Sequence, residues 1–361
     1  MRRTGRTTFV HHQRVTGLEN GLDLKQLPYI DLEDERLAGI DANHLFALLE
    51  EYYRRYPRYR GDEKVLWCFD GMPSVPGWER FLQKMVEIEN VDIFFTDSSN
   101  SLLAREIACG HGGHVVKRKV LPIGFAEVVI NRIEQIPDDL STIVTTDRSV
   151  VEHCFIDYLE CGGLPGVQTL ETHDRLQALK DTVDIILLRD IVERHGVSNI
   201  IGLRRMVGYL LRNPGTPISV ERFYESFKAQ GIAISKDTIR KLWFCLEDCF
   251  LLRTVWFESE SEHRRQVNPR RAYPIDPGLI RLFAGSDGMS IERILETVVF
   301  LELERRGATI TYVRTEEGYL VDFLARYPDG TAQLIQVCAD ISRSATLILA
   351  SRALLYAGRH Y

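Results

Sequence analysis

The sequence predicts a multidomain α/β protein, and three observations carry that reading. In the first hundred residues, two runs, the continuous apolar Val65–Phe69 and the mainly apolar Val91–Thr96, do not alternate, and each is followed by an aspartate, Asp70 and Asp97. Such runs fit strands of a parallel sheet buried on both faces, with polar groups gathered at its carboxyl edge. From about residue 150 to 255 the apolar residues recur at helical spacing. The last ninety residues then follow the order helix, three strands, helix, which suits a small mixed α/β domain. Three regions result: a parallel-sheet core over 1–150, a helical region over 151–258 and an α/β domain over 259–361.

The composition is that of a globular chain. Of 361 residues 45% are hydrophobic and 27% charged, which excludes a disordered or collagen-like chain. Forty-five basic residues against fifty-one acidic ones give a formal charge of −6. That balance argues against a protein that coats nucleic acid, while leaving local basic patches open. There is no apolar stretch long enough to cross a membrane and no secretory signal, so a cytoplasmic location is expected. The seven cysteines are scattered and none forms a C-x-x-C pair. Buried thiols in a reducing compartment explain them better than a metal site, including Cys245 and Cys249 one helical turn apart. Cys109-Gly-His-Gly-Gly-His114 looks more metal-like but lacks an evident fourth ligand.

In the middle region, Leu203, Met206, Val207, Leu210 and Leu211 form one stripe, closed by Asn213-Pro214-Gly215. Ser219 caps a second helix with Val220, Phe223, Tyr224 and Phe227 inward, Gly231 turns the chain, and Ser235 caps a third. A β-prone run, Leu252–Phe257, follows. Three short helices and a strand predict a winged helix. The charged stretch Glu258–Arg271 reads as a linker or wing tip. Beyond it, a helix is predicted over 291–306, strands over 308–314, 319–326 and 332–338, and a last helix from about Arg343.

The chemistry begins at the amino terminus. Gly5-Arg6-Thr7-Thr8 has the ending of a phosphate-binding loop, in which a glycine admits phosphate to backbone amides, a lysine meets the outer phosphates and a hydroxyl meets Mg²⁺. About 65 residues later the run Val65–Phe69 closes on Asp70, as a strand carrying the second Mg²⁺-shell group should. Thr96 stands where a polar sensor residue is expected. With these positions go longer segments: PYIDLEDERL (28–37), FDGMPSVPGWERFL (69–82), SSNSLLAREIA (98–108), LPIGFAEVV (121–129), YLECGGLPGV (158–167), GIAISKDTIRKLWFCLEDCFLL (231–252), YPIDPGL (273–279) and ILETVVFLELERRG (294–307). Taken together, the chain resembles the bacterial and archaeal AAA+-type P-loop ATPases that carry a C-terminal restriction-endonuclease-like domain. The resemblance implies a P-loop NTPase core, a helical lid leading into the winged helix, and a nuclease-like α/β domain. It also implies ATP held by Gly5, Arg6, Thr7, Thr8 and Asp70, with Mg²⁺ at Thr7 and Asp70.

Departures from the family pattern fall where catalysis should be. Arg6 replaces the loop lysine, and a planar guanidinium does not substitute for a compact ammonium. Asp70-Gly71 replaces an Asp-Glu pair, so the carboxylate that would activate water is missing; a general base is worth about 10²–10⁴ in rate. Gly113-His114 stands where the family has Gly-Arg, and Lys117 and Arg118 are the nearest substitutes. Nucleotide binding with poor or absent hydrolysis is therefore expected, with no residue assigned as catalytic. The resemblance further places the first residue inside the phosphate loop, as though a larger protein were trimmed at both ends.

In the C-terminal domain Glu296 and Asp322 sit where nuclease carboxylates belong. The third strand offers Gln336-Val337-Cys338, and Lys241 is the last lysine of the chain, so an inert scaffold is expected. The alternative for the whole chain is a non-enzymatic DNA-binding or scaffold protein. Lys236, Arg240 and Lys241 on the third helix, with Arg264, Arg265, Arg270 and Arg271 at the wing, would then meet phosphates. The run Tyr52–Arg60 interleaves aromatics with guanidinium groups, but it reads better as a helix end before the Asp70 strand.

Overall fold

The structure, a computed structural model, describes residues 3–99, 116–130, 144–283, 290–342 and 344–358. It is an α/β protein with one parallel three-stranded sheet and one mixed five-stranded sheet. The chain divides into two compact units, Met1–Val120 and Leu121–Tyr361. No helix among the described residues is long and apolar enough to cross a membrane.

The first unit is built on β1 (Tyr29–Asp31), β2 (Val65–Asp70) and β3 (Val91–Phe95), parallel in the order β1-β2-β3. All six residues of β2 are buried, which is why its apolar run does not alternate. Trp67 and Phe69 point to one face, where Leu45, Leu49 and Tyr53 of helix Ala42–Arg55 and Phe81 and Met85 of helix Trp78–Ile88 close over them. Leu66 and Cys68 point to the other, against Val10 of helix Arg6–Glu19 and Leu27. Each large side chain buried this way contributes roughly 1.5–3 kcal/mol. Parallel register sets Asp31 beside Asp70 and Phe69 beside Phe95, so the carboxyl ends of the strands share one edge.

The second unit opens with helices Phe125–Ile130, Thr145–Cys161 and Thr172–Ile185; the last continues as a π-helical segment, Ile186–Glu193. Helices Ile200–Arg212, Val220–Ala229 and Lys236–Asp248 follow at the predicted places. Ser219 and Ser235 cap the second and third, accepting from the amides of Arg222 and Thr238 at 3.2 and 3.1 Å. The mixed sheet has the order β5-β4-β6-β7-β8, from β4 (Leu252–Phe257), β5 (Arg271–Pro274), β6 (Thr309–Arg314), β7 (Leu320–Arg326) and β8 (Ala332–Ile335). Helices Ile291–Arg305 and Ser344–Ala357 complete it.

Three sequence expectations are corrected here. The stretch 258–271 is no linker: it holds helix Glu262–Val267 and leads into β5, which pairs antiparallel with β4. The boundary expected at 258 falls inside one sheet, because β4 also pairs in parallel with β6. Glu258 reinforces that join, its carboxylate accepting from Thr311 at 2.6 Å and from Arg326 at 3.0 Å. Finally, β8 stops at Ile335 rather than 338, since the Gln336 side chain and the Val337 amide turn to the Asp322 carboxylate.

Candidate functional site

Gly5 adopts a left-handed backbone, φ 93°, and is the N-cap of helix Arg6–Glu19. Only glycine takes that conformation without cost, and it turns the chain so that the first-turn amides of Arg6, Thr7 and Thr8 face outward, as an anion site requires. At the opposite side of the site, β2 ends on Asp70, which is 8% exposed. The Thr7 hydroxyl donates to Asp70 Oδ2 at 2.5 Å, across 63 residues of sequence. Thr96, just beyond β3, donates its hydroxyl to Oδ1 and accepts from the Gly71 amide at 3.0 Å. Tyr29 Oη lies 3.4 Å from Oδ2. Burial, and then the Asp70 charge, push the Tyr29 phenol up to about 12, so it stays a neutral donor.

Of the predicted site residues, Thr7 and Asp70 are thus brought together, with Gly5, Arg6 and Thr8 in the turn that carries Thr7. Sequence reasoning had not included Tyr29. Its signal lay in the register that sets β1 beside β2, which no spacing rule reveals. Thr96 ties the end of β3 to the end of β2, and Thr96→Val is expected to cost about 1–3 kcal/mol by leaving a buried carboxylate oxygen and an amide short of a partner. Chemical denaturation of the purified variant measures it.

The second cluster lies in the C-terminal unit. Arg271 of β5, 4% exposed, donates to Glu296 at 2.9 Å and to Asp322 at 3.1 Å. Tyr273 Oη donates to the same Glu296 oxygen at 2.5 Å. Asp322 Oδ2 accepts from Gln336 at 2.6 Å and from the Val337 amide at 2.9 Å. Burial and the neighbouring Asp322 push Glu296 up, against the pull of Arg271. The two carboxylates anticipated from the sequence do meet, and a guanidinium sits between them. Among the described residues, no three His, Cys, Asp or Glu side chains gather as a metal site.

The cations offered for DNA are largely engaged. Lys236 pairs with Glu221 at 2.6 Å and Arg240 with Asp237 at 2.6 Å. Arg270 lies over the rings of Trp256 and Trp243, 4.3 and 5.1 Å from their centroids, and Arg271 is buried in its carboxylate pair. The wing reading of these two arginines is corrected accordingly: they hold the protein together. In the Tyr52–Arg60 run, Tyr53 and Tyr59 are buried and Arg54 and Arg55 pair with Glu51, so it closes a helix against the core. Cys109–His114 lies outside the described residues; Cys245 and Cys249 are buried free thiols.

Comparison with known proteins matches two parts of the chain. Residues 1–129 match the model of an AAA domain, and residues 152–290 match that of a domain of unknown function (DUF8612). An uncharacterized protein of Methanocaldococcus jannaschii is 29% identical over 321 residues, 88% of this chain and 69% of that protein. An uncharacterized protein of Haemophilus influenzae is 25% identical over 331 residues, 91% of this chain and 78% of its own. The match over 1–129, on an α/β unit with a parallel sheet, supports an AAA-like P-loop assignment for the N-terminal part of the chain, and with it nucleotide binding.

Proposed function

We propose that the N-terminal unit binds ATP with Mg²⁺ at the carboxyl edge of its parallel sheet and hydrolyses it slowly. The observation that carries this reading is the Thr7 hydroxyl on the Asp70 carboxylate, 2.5 Å apart. A hydroxyl at a helix start and a carboxylate at a strand end are the two protein oxygens that P-loop domains turn toward Mg²⁺. The donor set fits the ion: both are hard oxygens, and Asp70 is already oriented by Thr96. When bound, the cation neutralises charge on the outer phosphates. Gly5, Arg6, Thr7 and Thr8 supply amides and a guanidinium for those phosphates. Slow turnover follows from Arg6, whose planar guanidinium stands in place of the compact ammonium of the loop lysine.

The C-terminal unit is proposed to be a winged helix joined to an inert nuclease-like domain, acting as scaffold. Arg271 favours this, since it stands where a catalytic cation would have to bind between Glu296 and Asp322. The free buried thiols suit a cytoplasmic protein.

The test is a titration with fluorescent ATP in Mg²⁺. Asp70→Ala is expected to weaken binding at least about tenfold, the loss of one charge-assisted contact. Exposed Glu225→Ala should change nothing. Equal affinity in Asp70→Ala and the unaltered chain would remove Asp70 from the site.

A further inference from the structure

We infer that Glu33 supplies the water-activating carboxylate that position 71 lacks, a proposal that rests on the ATP-binding reading above. Gly71 directly follows Asp70 and has φ 75°. A Cβ built there would lie 2.4 Å from Glu33 Cγ, 3.2 Å from its Cδ and 3.4 Å from Oε1. The side chain of Glu33 therefore fills the space a side chain at 71 would take. A glutamate's own carboxylate oxygens lie about 3–3.6 Å from its Cβ. Glu33 Oε1, 3.4 Å from that point, falls within this range.

The neighbourhood fixes Glu33 in place. Asp31 stands opposite Asp70 in the parallel ladder, and the Leu32 amide donates to the Asp70 carbonyl at 2.9 Å, carrying the pairing one residue past β1. The Glu33 amide then donates to Asp31 Oδ1 at 3.0 Å, and the Leu32 carbonyl accepts from Ser74 Oγ at 3.1 Å. The main chain just before Glu33 is thus pinned to the end of β2 and to the loop that follows it. The glycine is what permits this approach: any side chain at 71 would have to displace Glu33.

In the step assigned to it, the oxygen of a water bonds to the terminal phosphorus of ATP. The bond from that phosphorus to the bridging oxygen breaks, and its electron pair leaves on ADP. The water proton passes to the Glu33 carboxylate, and inorganic phosphate is the second product.

Three variants test this, with phosphate release and fluorescent-ATP affinity measured on each. Glu33→Gln is expected to lower turnover about 10²-fold or more while leaving the affinity within about threefold. Asp34→Asn, which removes the partner of Arg36 on the same loop, should leave both unchanged. Glu33→Ala should be inactive while its affinity for fluorescent ATP stays within about threefold. Unchanged turnover in Glu33→Gln, joint loss of affinity and turnover, or an unaltered chain that binds ATP without turnover would each overturn the role of Glu33. An unaltered chain that fails to bind ATP would instead overturn the underlying reading.

Discussion

Arg271→Ala is expected to destabilise the C-terminal unit by about 3–5 kcal/mol, the cost of removing one partner from a buried ion pair. The guanidinium is almost wholly enclosed and contacts both Glu296 and Asp322. Without it, two carboxylates face each other in a desolvated site. The remaining donors, Tyr273 to Glu296 and Gln336 with Val337 to Asp322, supply hydrogen bonds but no positive charge. The defect should depend on pH in a stated sense. Glu296 is already raised in the folded chain by burial and by Asp322. Losing Arg271 raises it further, so the variant is penalised as pH climbs above the unfolded value near 4.5 and recovers as pH falls below it. Glu296→Gln in the same chain should restore part of the stability at neutral pH. Urea denaturation at pH 4 and pH 7.5 measures both effects, and a defect of the same size at both pH values would contradict the charge argument.

The second large effect belongs to Asp276, which is fully buried. Its carboxylate accepts from the amides of Gly163 at 2.7 Å and Gly278 at 2.8 Å, and so ties the loop after helix Thr145–Cys161 to the turn after β5. Both glycines and Gly162 are required by closeness: a Cβ at 162 would lie 1.8 Å from an Asp276 oxygen, and one at 278 would lie 2.3 Å from the Cys161 carbonyl oxygen. Asp276→Ala leaves those amides buried without acceptors, at about 1–3 kcal/mol for each. Burial pushes the Asp276 carboxyl up to about 7, against the pull of the backbone donors. The folded chain therefore holds a proton that the unfolded chain has already released. From that group, stability is highest below about pH 4 and falls as pH rises to 7, by roughly 4 kcal/mol at most. The melting temperature of the unaltered chain should show this segment, and that of Asp276→Asn should lack it. A steeper fall in Asp276→Asn would reverse the assignment.

What could be read from the sequence follows from how local each signal is. The strand Val65–Asp70 was legible because a strand buried on both faces has no polar residue to interrupt it. Ser219 and Ser235 were legible because a cap acts on amides three residues away. Thr7 and Asp70, 63 residues apart, were paired through the family resemblance rather than through any periodicity. Glu296 and Asp322 were found in the same way. Arg271 was misread as a surface cation because it follows Arg264, Arg265 and Arg270 in the chain, whereas its partners lie 25 and 51 residues away. Glu33 was silent because its significance depends on the glycine opposite it, and only the register of β1 on β2 sets the two together. Asp276 was hidden likewise, its amide donor at Gly163 being 113 residues distant.

The N-terminal site is proposed to hold a Mg²⁺–nucleotide. Isothermal titration of the unaltered chain with a non-hydrolysable ATP analogue tests that most directly, run once with Mg²⁺ and once with EDTA. One saturable site is predicted in Mg²⁺, with affinity at least about tenfold weaker in EDTA, since Thr7 and Asp70 act on the phosphates through the cation. Absence of heat and of saturation in Mg²⁺ would contradict the account.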